Sequence, residues 1–291
     1  MSIRKLIYAG LALIAIGFAA CTQNEEIAPT LNEREINATF TVEGARTRVN
    51  TLDEGNSWEN NDTIKVRVMT DYDYSDPVAL IYDSDEGTWS HKSPFRWLSL
   101  SDKNTIYVSY PYPNDYGNFE LPEDQSTLEG LKSADFINGK WEDYPNLYYP
   151  INISLNHRMA MITVDCEIGT ADFGEDATLE APQIQALNSG ASFSFRDGTM
   201  TASSGNKSVK AYKHNNKFSA IIVPGKYEST DDFISFTLDG KKYVSRLKIR
   251  TEFEEGNLYI FHLEVGKNKV ELTQINVDDL TGWTHEEDLN N

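Results

Sequence analysis

Apolar and polar residues alternate with a period of two along most of the chain, and no long stretch has the 3.6-residue spacing of an amphipathic helix. In the segment 160–168, Val164 and Cys166 share the apolar phase, while Asp165 and Glu167 occupy the opposite one. Such a pattern predicts a strand with one buried face. We therefore predict a chain that is mainly β, with Cys166 as a small buried residue rather than a reactive thiol.

The predicted strands are short and follow one another closely, with turn signals such as Asp239-Gly240 between them. The segment from Leu238 to Tyr243 predicts a tight hairpin. Many short strands at this spacing are typical of β-sandwiches, and 291 residues fit one large domain or two ordinary ones. We predict two. The strands are expected at 37–43, 62–68, 160–168, 217–223, 232–238, 242–249, 257–265 and 268–277.

A segment rich in proline and tyrosine, 144–150, is the candidate linker between these domains, because proline cannot join a central ladder. This places an N-terminal β-sandwich at 36–148 and a C-terminal one at 149–291. An acidic linker at 21–35 precedes them.

Residues 1–20 have the features of a targeting segment. Arg4 and Lys5 supply positive charge, and the apolar stretch 6–20 is too short to span a bilayer comfortably and ends in small residues before Cys21. This arrangement resembles the lipobox of bacterial lipoproteins, with Phe18 where leucine is usual. By that resemblance Cys21 becomes the mature N-terminus, acylated on its sulfur and its amine, and anchors the chain to the outer membrane. The polar run after it resembles the export signals of surface lipoproteins.

Composition excludes several classes of partner. The formal net charge of −19 becomes −21 when Arg4 and Lys5 leave with the signal, so a polyanion would be repelled and nucleic acid is not an expected partner. With Cys21 acylated, Cys166 is the remaining cysteine, so no intramolecular disulfide can form.

The sequence contains only weak candidates for a metal site or a catalytic site. Asp71, Asp73, Ser75 and Asp76 imitate the start of a calcium loop, but the glycine and the closing glutamate of that loop are replaced. His157 has no second histidine at ligand spacing, and His262 is expected to face solvent. No nucleophile elbow, phosphate loop or catalytic carboxylate pair is found. We therefore predict no metal, no cofactor and no enzymatic activity.

Several blocks of the sequence, in order, resemble the fimbrillin family, the Mfa-like subunits of type V pili. The resemblance implies two transthyretin-like β-sandwich domains, export to the cell surface, other pilus subunits as partners and, in stalk subunits, polymerisation by donor-strand exchange. The blocks are Ala45-Arg-Thr-Arg48, Gly55-Asn-Ser-Trp58, Asp62-Thr-Ile-Lys-Val66, Ser154-Leu-Asn-His-Arg-Met-Ala160, Ala220-Ile-Ile-Val-Pro224, Phe253-Glu-Glu-Gly-Asn-Leu-Tyr259 and Trp283.

Two arginines follow the first predicted strand. A trypsin-like protease that cuts after Arg46 or Arg48 would release this strand together with the anchor. The strand carries Ala38, Phe40 and Val42 on its apolar face, so its loss would open an apolar groove.

The strand that refills the groove is expected from the C-terminus of another copy. Val270 and Leu272 share one phase and Ile275 and Val277 the other, which predicts a bulge near residues 273–274. Two alternatives remain open. The segment is simply the last strand of the second domain, or the chain is an anchor or accessory subunit that keeps its lipid and first strand.

A surface lipoprotein that binds a glycan or another host ligand is the alternative from a different class. Aromatic side chains beside proline-rich loops can stack on sugars, although in sandwiches many such rings close the ends of the core. The aromatic residues that suggest it are Trp89, Trp97, Tyr110, Tyr112, Tyr116, Trp141, Tyr144, Tyr148 and Tyr149.

Overall fold

The computed structural model describes residues 34–42, 58–111, 118–194, 197–266 and 269–278. Regular structure within these residues is nearly all β and forms two β-sandwich units in tandem, which confirms the predicted fold class. The strands are β1 (Ala38–Val42), β2 (Thr63–Met69), β3 (Val78–Asp83), β4 (Thr88–His91), β5 (Asn104–Tyr110), β6 (Asn118–Glu120), β7 (Ile137–Asp143), β8 (Ile151–His157), β9 (Ala160–Ile168), β10 (Glu180–Phe193), β11 (Met200–Lys210), β12 (Tyr212–His214), β13 (Lys217–Ile222), β14 (Gly225–Tyr227), β15 (Asp232–Leu238), β16 (Lys241–Arg246), β17 (Thr251–Phe253), β18 (Leu258–Gly266) and β19 (Lys269–Asp278), and the helices are α1 (Leu128–Ser133) and α2 (Thr170–Phe173).

The first unit is one seven-stranded sheet in the order β1-β8-β7-β5-β2-β3-β4. It curls on itself, so that Phe40 on one edge strand meets Trp89 on the other, with ring centroids 5.3 Å apart. Alternate residues of each strand fill the enclosed space. On β2, for example, Ile64, Val66 and Val68 are buried, which is the phase that the sequence predicts.

The second unit contains the sheet β11-β10-β15-β16, with β6 on β10, and the sheet β12-β13-β9-β18-β19. These two sheets share one hydrophobic core. Val164 and Cys166 of β9 are buried in it, as their phase predicts. The predicted hairpin is present between β15 and β16, with Asp239 and Gly240 at positive φ as a tight turn requires.

The segment 144–150 does not link two domains, contrary to our prediction. It joins β7 to β8, which are antiparallel neighbours in the first sheet. The first core therefore includes Ile153 of β8, while Leu131 and Phe136, which precede the segment, pack in the second core. A proline-rich loop within a sheet and a proline-rich interdomain linker both keep proline out of the ladder, so composition alone does not distinguish them.

A buried polar pair lies where the chain passes between the units. The imidazole Nδ1 of His157, at the end of β8, is 2.8 Å from Oδ1 of Asp135, and both side chains are buried. Nearby, Lys132 Nζ contacts both carboxylate oxygens of Glu59 at 2.6 and 2.7 Å, which ties α1 to the first unit. His157 thus has a structural hydrogen-bonding role at this junction.

Candidate functional site

The strand β1 is an edge strand, and β8 is its ladder partner among the described residues. The two strands run parallel, with Ala38 opposite Ile151 and Val42 opposite Leu155. Phe40 is buried, Ala38 and Val42 are half-buried against the same core, and the threonines between them are exposed. The alternation predicted for this strand is therefore present, and β1 covers one side of the first core.

A tryptophan outside the strand holds β1 in place. The indole N–H of Trp58 donates a 2.8 Å hydrogen bond to the backbone carbonyl of Phe40. The Trp58 ring also makes edge contacts with Trp89 and Tyr110, at centroid distances of 5.0 and 5.9 Å. Sequence reasoning did not find this role of Trp58, because the residue lies sixteen positions after the end of β1 and shares no period with it.

The residues that precede β1 add a second attachment. Ile36 N–H donates to Phe95 C=O and Trp97 N–H donates to Arg34 C=O, each at 2.9 Å. Ile36 is also buried, and it continues the phase of Ala38 and Phe40. Extending the two-residue period from Ala38 by one step towards the N-terminus would have predicted that Ile36 is buried.

The predicted processing residues Arg46 and Arg48 lie outside the described residues, as do Cys21 and the predicted signal and linker up to residue 33. Their positions relative to β1 follow from the sequence alone. The segment 43–57 joins the end of β1 to Trp58, the residue that holds β1 in place. In the sequence, both arginines therefore lie between β1 and Trp58.

The predicted donor segment is β19, an edge strand of the second unit that pairs antiparallel with β18. Leu272 is buried in the second core and Val270 is half-buried against it. Ile260 pairs with Asn276 and the next residue, Phe261, pairs with Gln274, so Ile275 is one extra residue in β19. The predicted bulge is thereby confirmed, next to residues 273–274.

For Ile275 and Val277 only the backbone pairing is described. Outside the ladder, β19 is fastened to the second unit by Lys248, which forms an ion pair with Glu271 and lies 3.2 Å from Thr273 Oγ1. Within one chain, β1 and β19 belong to different sheets, so the structure does not bring the two predicted strands together.

Four of the nine aromatic residues singled out in the sequence support the first core. Trp97 is buried, and Trp89, Tyr110 and Trp141 are packed against the same cluster. Tyr112 and Tyr116 lie outside the described residues. The others, Tyr144, Tyr148 and Tyr149, are exposed.

The acidic loop with Asp71, Asp73, Ser75 and Asp76 is a turn between β2 and β3, in which Asp73 Oδ1 accepts the N–H of Tyr74. His262 is half-buried on the outer side of β18, 3.4 Å from Glu167. No group of three or more metal-ligating side chains occurs in the described part of the chain. The same residues contain no helix that is both long and apolar enough to cross a membrane.

Burial raises the pKa of the Cys166 thiol to about 12, and the nearby carboxylate of Asp165 acts in the same direction. We expect a Cys21→Ser chain, which retains Cys166 alone, to react with a thiol reagent at pH 8 only after denaturant is added. The measurement is the rate of thiol modification with and without denaturant. Rapid reaction of the folded chain would show that Cys166 is not enclosed in the core.

The fold is similar to that of two solved structures of candidate cell-adhesion proteins. The one from Bacteroides uniformis ATCC 8492 has a TM-score of 0.63 at 13% sequence identity, over 87% of this chain and 100% of that chain. The one from Bacteroides ovatus ATCC 8483 has a TM-score of 0.60 at 15% identity, over 84% of this chain and 98% of that chain. The molecule is thus a protein of two β units, with the fold of these two structures.

A family model described as fimbrillin-like matches residues 47–279. The chain belongs to the fimbrillin-like family, and the resemblance noted in the sequence is confirmed. Membership places the chain among the fimbrial proteins, which are components of cell-surface appendages and associate with other pilus subunits. Among curated proteins, none matches the chain.

Proposed function

We propose that the chain is a subunit of a surface fimbria that polymerises when β1 is cut away and replaced by a strand from a neighbouring copy. The position of β1 in the first sheet is the observation that supports this proposal. Within the described part of the chain it is an edge strand with one ladder neighbour, and it inserts Phe40 into the core. In the sequence, its connection to the rest of the unit passes through Arg46 and Arg48. The family match begins at residue 47, so it leaves out the strand that would depart.

Loss of β1 would create a groove that favours an incoming strand. It would expose the side chains that Phe40 covers, together with one row of backbone groups on β8. Each large apolar side chain buried again by a donor contributes about 1.5–3 kcal/mol, and ladder hydrogen bonds set the register. Removal of residues 21–46 changes the net charge only from −21 to −18, so packing rather than electrostatics drives the exchange.

In this proposal, β19 is the donor. The bulge at Ile275 divides it into two short segments of opposite phase, one of which has Val270 and Leu272 and the other Ile275 and Val277. As an edge strand, it can separate from β18 without disturbing any other ladder. Acylation of Cys21 would hold the uncut chain at the outer membrane until processing.

We expect an Arg46→Ala/Arg48→Ala chain to stay monomeric when treated with a trypsin-like protease that makes the wild type polymerise. The attached strand has a far higher effective concentration than a free donor, so it keeps the groove filled. Ladder length on unheated gels measures the result. Arg34→Ala is the matched control, because Arg34 accepts the hydrogen bond from Trp97 N–H through its backbone carbonyl, which the substitution keeps.

Polymerisation of the double variant as extensive as that of the wild type would exclude strand release as the trigger. Deletion of 268–291 tests the donor separately, because such a chain can accept a strand but cannot give one, and it should therefore shorten the ladders when mixed with the wild type. Since Leu272 is buried in the monomer, thermal melting must first show that the deleted chain is folded. A folded wild type that is neither cut nor polymerised would favour the anchor or accessory role, in which the chain keeps its lipid and first strand.

A further inference from the structure

Two loops rich in tyrosine lie at the same end of the first unit. They are residues 70–77 and 143–150, here called the tyrosine loops. Met69, at the end of β2, pairs with Thr105 of β5, and Asn104 of β5 pairs with Asp143 of β7. Since β5 lies between β2 and β7, about two strand spacings, or roughly 10 Å, separate the points where the loops begin.

The exposed apolar surface of the described residues is concentrated in these loops. They contain six of the eight large hydrophobic side chains that are exposed, and Tyr72 and Tyr148 reach 90% and 89% exposure. A monomeric protein rarely gathers exposed apolar side chains in one place without a binding role. The six are Tyr72, Tyr74, Tyr144, Leu147, Tyr148 and Tyr149.

The second tyrosine loop encloses one side of an open cavity of about 490 Å³. Trp141, Tyr144, Leu147, Tyr148 and Ile151 line it. The cavity therefore combines apolar side chains with aromatic rings, of which Tyr144 and Tyr148 are exposed.

The polar side chains of the cavity fix the loop in position. Asp143 Oδ1 accepts the N–H of Tyr144 at 2.8 Å, and Asn146 Oδ1 accepts the N–H groups of Tyr148 and Tyr149, both at 3.1 Å. Asp143 and Asn146 also line the cavity, so a carboxylate and an amide lie beside the rings.

Charge narrows the class of ligand. All the charged side chains of the tyrosine loops are carboxylates, namely those of Asp71, Asp73, Asp76 and Asp143. These four carboxylates outnumber the guanidinium of Arg67, which lies 5.7 Å from the centroid of the Tyr74 ring. The loops therefore disfavour sulfated, sialylated or phosphorylated molecules and anionic membranes. A neutral sugar fits instead, because its C–H face stacks on an aromatic ring while its hydroxyl groups bond to a carboxylate and an amide.

We propose that the tyrosine loops, together with Trp141, form a binding site for a neutral carbohydrate chain. Tyr144 and Tyr148 stack on the sugar rings, and Asp143 and Asn146 bond to their hydroxyl groups. The loop 70–77 extends the site to neighbouring sugars. The site requires neither proteolysis nor strand exchange.

The experiment is affinity electrophoresis of the unprocessed Cys21→Ser chain in gels that contain yeast mannan, dextran, xyloglucan or, as the anionic probe, heparin. We expect at least one neutral polysaccharide to retard the chain and heparin to have no effect. Tyr144→Ala/Tyr148→Ala should weaken retardation by tenfold or more, whereas Tyr148→Phe, which keeps the ring, should preserve most of it. Ile249→Ala is the control, because Ile249 is also exposed but lies in the second unit.

Absence of retardation by all three neutral polysaccharides would overturn the proposal, as would equal retardation of the double variant and the wild type. If the double variant instead abolished self-association measured by sedimentation, with no effect of any sugar, the surface would be assigned to a second copy of the chain. The Arg46→Ala/Arg48→Ala chain should bind sugar normally, so failure of strand exchange and failure of this site can be distinguished.

Discussion

Replacement of Val164 by aspartate should unfold the second β unit. Val164 lies at the centre of β9 with no exposed surface, and it pairs with Phe218 on one side and Phe261 on the other. A carboxylate at this position has no partner and no water, and its burial costs several kcal/mol. Since whole domains are stable by only about 5–15 kcal/mol, we expect the cooperative transition of this unit to disappear from the thermal melt.

Two further substitutions provide comparisons for the Val164→Asp chain. Val164→Thr has nearly the same shape and buries only a hydroxyl, so it should leave the unit folded but less stable by about 1–3 kcal/mol. Glu167→Ala changes an exposed residue of the same strand and should have little effect. A Val164→Asp chain that melted like the wild type would mean that β9 presents its other face to the core.

Replacement of Phe40 by alanine should loosen β1 in the uncut chain. Loss of a buried phenylalanine costs about 3–5 kcal/mol, and here it also removes the ring that contacts Trp89. We expect the hydrogen-exchange protection of β1 to fall by at least a hundredfold. Tryptophan fluorescence should change as well, because Trp58 and Trp89 both adjoin the vacated space.

Thr41→Ala is the matched control for Phe40→Ala. Thr41 is in the same strand, but its side chain is exposed, and among the described residues it bonds to Asn152 at 3.2 Å. Its replacement should leave protection of β1 nearly unchanged. Equal protection in the Phe40→Ala chain and the wild type would show that the aromatic contact does not hold the strand.

For the strands that were predicted, the sequence identified the buried face where that face is apolar. Phe40, Val66 and Val164 were all placed correctly, because the period of two is a local property. The strands β3 and β8 were not predicted, although they alternate in the same way and bury Leu80 and Ile153. The strand β11 was not predicted, since it is polar and exposed along most of its length and gives no alternating signal.

Pairing between strands was harder to predict from the sequence, because it depends on residues far apart in the chain. The parallel contact of β1 with β8 and the clamp from Trp58 have no local signal. For the same reason the segment 144–150 was assigned to a linker. Tyr144, Tyr148 and Tyr149 were noted in the sequence, but their separation from the core tryptophans required the structure. The exposed Tyr72 and Tyr74 were not noted.

The parallel pairing of β1 with β8 also has a consequence for the order of folding. The side chain of Thr39 meets residue 151, which is 112 positions later in the chain. Contacts of such long sequence separation form slowly, because the intervening chain must first be ordered. During synthesis, β1 emerges long before its partner, so the hairpins of β2, β3, β4, β5 and β7 can form while β1 is still free. We therefore expect β1 to be the last strand to join the sheet, and until it does, β8 can accept a strand from any chain that arrives first.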